Sequence, residues 1–372
     1  MRTIRLLTAA TCLVLLPSTA AAGATDDDAV AAPAVAAAIK VVPVKTGLNV
    51  PAAFTFSAAG NIWYLEKGTG EIHVLRPGTG KNRLFGKISN VDASGERGAL
   101  GIALHPRFPA TPYLYVYVTR TDKGAIRNEL LRIRSDAGHM AGFRVLFRWK
   151  VSLATNHNGG RILFGPDHKL WIVTGENANP QNSQVKTNLR GKILRMNGNG
   201  SIPKDNPFGT RIWSFGHRNS FGFTFDPKTG RLWETENGPE CNDEINLIVK
   251  GGNFGWGPNE NCNGTAPHDT NNSGPKPRHL PKTYFPTPIA ITGAAFCIGC
   301  GLGASVNGDL VFGDWNTGSI RAVNLNVTRR GFSAAQRILI GTGSNGVMSI
   351  ETGPNHRLYF SRPNGIYRLA AA

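Results

Sequence analysis

One pattern recurs six times along the chain and limits the folds that it can adopt. Each copy joins a short β-prone stretch to a turn rich in Gly, Pro, Asp or Asn, and then to a second stretch of aromatic and aliphatic residues. The copies occupy residues 53–66, 100–118, 160–176, 221–236, 303–314 and 348–362. Repeated units of this kind bury their apolar faces against one another, and six of them predict an all-β, six-bladed β-propeller.

The alternative for this glycine- and proline-rich chain is a β-sandwich or a pair of smaller β domains. We rank it lower because no segment that resembles a linker interrupts the repeats between residues 45 and 370. We therefore expect one domain over residues 40–372. An alanine-rich stretch with few large side chains, residues 23–39, is typical of a flexible leader.

The first 22 residues have the pattern of a secretory signal peptide. Two arginines precede an apolar run of 11 residues, Leu6 to Leu16, and Ala20 and Ala22 form a small-residue cleavage site. That run is too short to cross a bilayer, which takes roughly 20 residues. The sequence therefore predicts a secreted or periplasmic protein without a membrane span.

The chain is strongly basic, with 41 Lys and Arg against 24 Asp and Glu and a formal net charge of +17. The basic residues are scattered and no nucleic-acid motif accompanies them, so we expect no nucleic-acid partner. Anionic substrates, redox partners or a cell envelope are better matches to this charge.

Four cysteines follow the signal peptide, and an even number in an exported chain indicates disulfides. We expect the local pairs Cys241–Cys262 and Cys297–Cys300. The second pair forms a CxxC motif, which also occurs in redox and metal sites. The chain has no second CxxC or nearby histidine pair, so a structural disulfide is favoured.

In a propeller the first strand of each repeat lines the central channel, and the residues before it gather at one mouth. The second strand returns the chain to that mouth, so the residues after it gather there too. Mostly polar residues occupy both kinds of position, together with one Gly-Pro pair. They are Glu96, Arg97, His157, Asn158, Glu176, His217, Arg218, Asn219, Glu236, Asn237, Gly238, Pro239, Asp314, Asn316, Ser344 and Asn345.

His157 and Glu176 stand at the two ends of one hairpin, which predicts that they meet. An acid bonded to one ring nitrogen would fix the tautomer of the histidine and leave the other nitrogen able to accept a proton. Arg218 could stabilise negative charge on an oxygen, and Asn219 could orient a ligand. A lone loop histidine is more often structural, and Arg218 could equally be the centre of an ion-pair ring. Their convergence with other polar residues at one concavity favours a catalytic site.

The Gly238–Pro239 turn offers two successive carbonyl oxygens, which are hard ligands of the kind that calcium prefers. Asp243 and Glu244 follow closely. Carbonyls alone are weak evidence, so a calcium site here is a hypothesis.

Several segments together resemble the soluble quinoprotein glucose dehydrogenase and aldose sugar dehydrogenase family, also called glucose/sorbosone dehydrogenases. They are GERGALGIALHPRF, NHNGGRILFGPDHKLWIVTGE, GKILRMNGNGSIPKDNPF, IWSFGHRNSFGFTFDPKTGRLW and DEINLIVKGGNFGWG. The resemblance covers residues 45–369. It implies a six-bladed propeller that holds pyrroloquinoline quinone (PQQ) over the channel mouth with calcium. It also implies oxidation of a small-molecule sugar and transfer of the electrons to a quinone or cytochrome.

The resemblance assigns roles to individual residues. His157 matches the base that takes the proton of the anomeric hydroxyl, and Glu176 matches the acid that holds this histidine. Other matched positions contact the cofactor or calcium. Glu96, Arg218 and Asn219 match cofactor contacts, Gly238 and Pro239 match carbonyl ligands of the cofactor's calcium, and Glu244 and Phe254 match a second, structural calcium site.

The chain departs from the family at three positions where the resemblance implies a lysine and two arginines. Asn316, Gly346 and Met348 stand there. PQQ carries three carboxylates, so fewer cations predict weaker binding unless Lys67, Arg97 or Arg362 compensates. Two alternative functions are therefore open. The chain could be a calcium-binding propeller without PQQ that binds carbohydrate or the cell envelope, or it could be a lactonase-like hydrolase.

Overall fold

The computed structural model describes residues 38–258, 262, 274–341 and 346–372. The expected signal peptide, the leader up to residue 37, and Ser344 and Asn345 lie outside the described residues. None of the helical structure in this described part has the length and apolarity that a membrane crossing requires.

In the described part of the chain, 24 strands form six four-stranded antiparallel sheets, so the predicted all-β, six-bladed propeller is confirmed. The first three sheets, each given from the channel outward, use consecutive strands. They are β2 (Pro51–Phe56), β3 (Ile62–Glu66), β4 (Glu71–Leu75) and β5 (Asn82–Lys87); β6 (Ala99–Leu104), β7 (Tyr113–Asp122), β8 (Ala125–Asp136) and β9 (His139–Lys150); β10 (Ile162–Phe164), β11 (Leu170–Thr174), β12 (Lys192–Met196) and β13 (Ile212–Phe215).

The last sheet closes the ring by pairing the two ends of the described chain. Its outer strand is β1 (Ile39–Thr46), which pairs with the final strand. Sheets four to six are β14 (Ser220–Phe225), β15 (Leu232–Glu236), β16 (Asp243–Ile248) and β17 (Thr283–Phe285); β18 (Ile291–Phe296), β19 (Leu310–Asp314), β20 (Ser319–Val323) and β21 (Arg337–Gly341); β22 (Ser349–Thr352), β23 (Leu358–Arg362) and β24 (Gly365–Ala371) with β1. Among the described residues the only helix is α1 (Gln181–Gln184).

The core lies between neighbouring sheets. Strands β3, β11, β15 and β19 are buried along their whole length, because each is covered by a sheet on both faces. This burial explains the runs of aromatic and aliphatic residues in the second half of each repeat. The innermost strands contact one another around the axis, with β2 against both β6 and β22 and β18 against both β14 and β22.

The fifth repeat begins earlier than the sequence predicted. Its inner strand is β18, residues 291–296, whereas residues 304–308 form a turn before β19. The alternating pattern at 303–306 is too short to distinguish a strand from a turn, and the inner strand carries the small residues of ITGAAF. The Cys297–Cys300 disulfide lies in the connection between the two strands, and Cys241–Cys262 is the second predicted pair.

Candidate active site at the channel mouth

A cavity of about 640 Å³ opens at the end of the channel where the inner strands begin. Every sheet contributes to its wall, because the loops that enter the inner strands meet there. Its polar and charged lining residues are Lys67, Glu96, His157, Arg161, Arg218, Asn219, Asn237, Asp243, Thr292 and Asn316. Apolar and backbone surface comes mainly from Leu100, Phe221, Gly238, Pro239, Pro288, Trp315 and Met348.

The structure brings His157 and Glu176 together. The His157 Nδ1 lies 2.6 Å from Glu176 Oε1, and the other carboxylate oxygen of Glu176 accepts the backbone N–H of Asn179 at 2.9 Å. His157 is 8% exposed and Glu176 is 1% exposed. Within the described residues no hydrogen bond involves the His157 Nε2. The carboxylate therefore holds the proton on Nδ1 and leaves Nε2 as the acceptor at the cavity wall.

Glu96 links the loop of His157 to Asn219, which directly precedes β14. Its Oε2 accepts the backbone N–H of His157 at 2.6 Å and the side-chain amide of Asn219 at 3.0 Å. The amide oxygen of Asn219 in turn accepts the backbone N–H of Gly159 at 3.3 Å. Glu96 and Asn219 thus fix the loop of His157, whose backbone is left-handed with φ 58°.

Arg218 lies at the wall of the cavity. Its Nη1 donates to the Asn237 carbonyl at 3.0 Å, and its guanidinium lies 5.2 Å from the centroid of the Trp256 ring. The Arg218 Nε is buried and has no hydrogen-bond partner among the described residues. Burial lowers the pKa of Arg218, and the charges of Glu176 and Glu236 oppose that effect. An arginine stays charged at neutral pH, so this N–H can donate a hydrogen bond to an anionic ligand.

His217 does not line the cavity, although the sequence grouped it with the mouth. It is fully buried, with its Nδ1 3.0 Å from Glu236 Oε2 and 3.1 Å from Glu234 Oε1, and its Nε2 2.9 Å from Ser214 Oγ. Burial alone would lower the pKa of His217, but the two carboxylates outweigh it and raise that pKa to about 10. Glu236 also accepts the backbone N–H of Arg218. The buried imidazolium thus helps to hold the loop that carries Arg218, because both groups bind the same carboxylate.

The charge of His217 predicts that the folded state weakens in alkali. Its folded pKa of about 10 lies above the ordinary value of 6.5, so its contribution is complete below pH 6.5 and is lost as the pH rises through about 10. Thermal unfolding followed between pH 7 and pH 10.5 should therefore show a falling Tm. His217→Gln should flatten that decline, and the exposed His139→Gln should not. Equal slopes for wild type and His217→Gln would contradict the assignment.

The Gly238–Pro239 turn lines the cavity and is held by Asp243. The Asp243 Oδ1 accepts the Gly238 N–H at 2.9 Å, and Oδ2 accepts the N–H groups of Ile289 and Ala290 at 2.9 and 2.6 Å. Burial raises the pKa of Asp243, and these bonds oppose that effect. The Oδ1 of Asn237 is buried, with no hydrogen-bond partner in the described part of the chain. Three consecutive residues with oxygen donors, Asn237, Gly238 and Pro239, therefore line this wall beside the carboxylate of Asp243.

Glu244 and Phe254, the residues matched to a second calcium site, do not line the cavity. Glu244 lies opposite Glu236 in the register of β15 and β16, and its Oε2 accepts the Asn246 amide at 3.3 Å. The Phe254 ring stacks on His217 with the centroids 4.8 Å apart. Both residues thus lie next to the buried cluster of His217, Glu234 and Glu236.

Of the three cations considered as replacements, only Lys67 lines the cavity. Its Nζ donates to the carbonyls of Ala93 and Gly95 at 3.0 and 2.7 Å, and burial lowers its pKa. Arg97 is buried against Asp92 at 2.9 Å. Arg362 lies 5.2 Å from the ring centroids of Phe360 and Tyr367.

Arg161 was missed by the sequence reasoning. It lies in the channel below the mouth, where its guanidinium donates to the Met348 carbonyl at 3.0 Å and to the Ala52 carbonyl at 3.4 Å. Its position directly after the NHNGG segment, at the start of an inner strand, was the signal that could have identified it. It adds a third positive charge to the cavity, beside Lys67 and Arg218.

The chain resembles known proteins in sequence and in fold. A family profile described as Glucose / Sorbosone dehydrogenase matches residues 48–368. Quinoprotein glucose dehydrogenase B of Acinetobacter calcoaceticus is 32% identical over 253 residues, which cover 57% of this chain and 51% of that protein. Aldose sugar dehydrogenase YliI of Escherichia coli is 33% identical over 230 residues, which cover 59% of this chain and 62% of that protein.

The matched region therefore spans between half and two thirds of these curated relatives. The PQQ-bound aldose sugar dehydrogenase of Streptomyces coelicolor superposes with a TM-score of 0.76 at 27% identity, over 90% of this chain and 98% of that one. The mouth geometry, the fold and the family profile agree, and the chain belongs to the glucose/sorbosone dehydrogenase family.

Proposed function

We propose that the chain is a dehydrogenase that oxidises an aldose at its anomeric carbon to the lactone, with PQQ as the hydride acceptor and calcium as the ion that holds PQQ. The observation that carries this proposal is the histidine at the cavity wall. Its Nδ1 is bonded to a buried acid, and its Nε2 remains available to a ligand. That arrangement is suited to a general base.

The cavity residues fit PQQ. A volume of about 640 Å³ is within the range of sites that take small cofactors. The Arg218 Nε is a buried donor without a protein partner, and leaving such a group unpaired costs about 1–3 kcal/mol. A carboxylate or quinone oxygen would satisfy it. Lys67 and Arg161 supply further positive charge, and we propose Glu96 and Asn219 as additional cofactor contacts.

The wall formed by Asn237, Gly238 and Pro239 fits calcium. The partnerless Asn237 Oδ1 and the turn carbonyls are hard oxygen donors. Asp243 adds a buried carboxylate that holds the turn in place. Glu244 and Phe254 remain our proposal for a separate structural calcium.

The reaction needs one proton acceptor and one hydride acceptor. We propose that the anomeric hydroxyl donates its proton to the His157 Nε2 while the C1–H bond breaks and the carbonyl of the lactone forms. PQQ, when bound, supplies the carbonyl carbon that receives the hydride. Glu176 keeps the Nδ1 proton in place and stabilises the imidazolium that results. Arg218 would stabilise negative charge that develops on an oxygen of the substrate or of the cofactor.

We also propose that the protein is exported, on the strength of residues 1–22, and acts in the periplasm or outside the cell. Electrons leaving the site would pass to a quinone or a cytochrome. The net charge of +17 favours an anionic or acidic acceptor.

Reconstitution tests the proposed function. The purified protein is titrated with PQQ in the presence of calcium, and aldoses are screened with an artificial electron acceptor. We expect PQQ binding by calorimetry and sugar-dependent turnover, and chelation of calcium should abolish both. Absence of PQQ binding and of turnover in the wild type would overturn the proposal.

A second function is favoured by the residues at three positions. Asn316, Gly346 and Met348 stand at the three positions where the family resemblance implies cations, so a calcium-dependent carbohydrate- or envelope-binding protein that has lost PQQ is the competing proposal. Tight glycan binding without PQQ affinity would support it. A lactonase-like hydrolase is less well supported, because Glu96 and Asp243 are the only acidic residues in the described lining.

A further inference from the structure

The wall of the cavity next to Asn316 carries a tryptophan on a turn that hydrogen bonds hold in place. Trp315 follows β19, and its backbone N–H donates to the Ala290 carbonyl at 2.9 Å, while the next N–H, of Asn316, donates to the Ile289 carbonyl at 3.1 Å. The Asn316 side chain turns to the Pro288 carbonyl at 3.0 Å. The preceding Asp314 is buried, with its Oδ1 2.8 Å from the Thr317 N–H. The turn that carries the indole is thus held at both ends.

The indole lies directly on Gly346. A Cβ at this position would lie 2.4 Å from Trp315 Cε3, 2.6 Å from Cδ2 and 2.7 Å from the Trp315 carbonyl oxygen, well inside contact distance. Any side chain at 346 would therefore displace the ring. The Val347 N–H donates to the Asp314 carbonyl at 3.0 Å, which fixes the two segments against each other. The position of the Trp315 ring therefore depends on the absence of a side chain at Gly346.

This feature changes the chemistry of the wall. The indole is 46% exposed and lines the cavity together with Met348 and Pro288. Lys67, Arg161, Arg218 and His157 line other parts of the cavity, and the Arg161 guanidinium reaches the Met348 carbonyl. The cavity therefore combines an apolar aromatic surface with positive charge and hydrogen-bonding groups.

We propose that Trp315 packs against the planar ring system of the cofactor and replaces part of the binding free energy that cations would supply. Aromatic surface buried against a flat ring gains both apolar burial and ring–ring attraction. The ligand class that would match this wall together with the cations Lys67, Arg161 and Arg218 is a planar, polycarboxylated aromatic molecule. The inference rests on the proposed PQQ function.

Calorimetric titration of calcium-loaded protein with PQQ tests the inference. We expect Trp315→Ala to raise the Kd for PQQ by about 10-fold, and Trp315→Phe to keep most of the affinity. Gly346→Ala should raise the Kd in the same direction, because it moves the indole. Phe143→Ala, an exposed aromatic residue outside the cavity lining, should leave the Kd unchanged.

The outcomes separate this inference from the proposed function. If the wild type binds no PQQ, both are overturned. If the wild type binds PQQ and Trp315→Ala and Trp315→Phe bind it equally well, the inference alone is overturned. A higher KM for sugar in Trp315→Ala at unchanged PQQ affinity would also overturn it, because the ring would then contact the sugar. Thermal unfolding of each variant identifies any loss of fold, and Trp315→Phe serves if Trp315→Ala does not fold.

Discussion

Replacing His157 by glutamine is expected to lower kcat by about 10²–10⁴-fold in the PQQ- and calcium-reconstituted protein, because general-base catalysis contributes a factor of this size. The KM for the sugar and the Kd for PQQ should change little, since the side chain remains polar and similar in size. Stopped-flow reduction of the bound cofactor by sugar measures the chemical step directly. Thermal unfolding should show that the fold is retained.

The partner of this histidine provides the matched test. Glu176→Gln keeps the size of the side chain and removes the carboxylate that fixes the Nδ1 proton, 2.6 Å away. We expect a loss of kcat of about 10- to 100-fold, smaller than for His157→Gln, with the KM again unchanged. The double variant should be no slower than His157→Gln alone. Retention of wild-type kcat in His157→Gln would remove the base from the proposed mechanism.

Local features of the sequence predicted this pair because one hairpin sets its geometry. Strand β10, the turn after Phe164 and strand β11 return the chain to its starting level, so the residues at the two ends must meet. The same reasoning predicted six blades, since each repeat supplies its own inner and second strands. Such predictions depend on sequence separations of about 20 residues and on period-two patterning.

Features that depend on contacts between distant repeats were not predictable in this way. The indole of Trp315 lies on Gly346, and Arg161 donates to the carbonyls of Ala52 and Met348 in other blades. His217 was placed at the mouth, but its two carboxylate partners draw it into the interior. The contacts of Trp315 and Arg161 join residues whose proximity appears only after the ring has closed. The partners of His217, in contrast, lie in its own hairpin, and what the sequence did not indicate is the complete burial of that cluster.

Gly238→Ala is the second variant from which we expect a large effect. A Cβ there would lie 1.9 Å from the Cys241 carbonyl oxygen and 2.6 Å from that of Asn242. Both obstacles are backbone atoms, so the turn itself must open. Forced overpacking of this kind costs about 1–3 kcal/mol of stability. It would also break the bond from the Gly238 N–H to Asp243, which sets the direction of the turn carbonyls.

We therefore expect Gly238→Ala to lose calcium affinity as well as stability, because opening the turn would move its carbonyl oxygens apart from the other oxygen ligands at this wall. Calorimetric titration of the metal-free protein with calcium and thermal unfolding with and without calcium measure the two effects. Gly341→Ala is the matched control, since a Cβ at that exposed strand residue would meet nothing within 4 Å. If Gly238→Ala binds calcium as tightly as Gly341→Ala does, the ion does not use this turn. If it is destabilised equally with and without calcium, the turn has a structural role only, and the mechanism loses its proposed metal ligand.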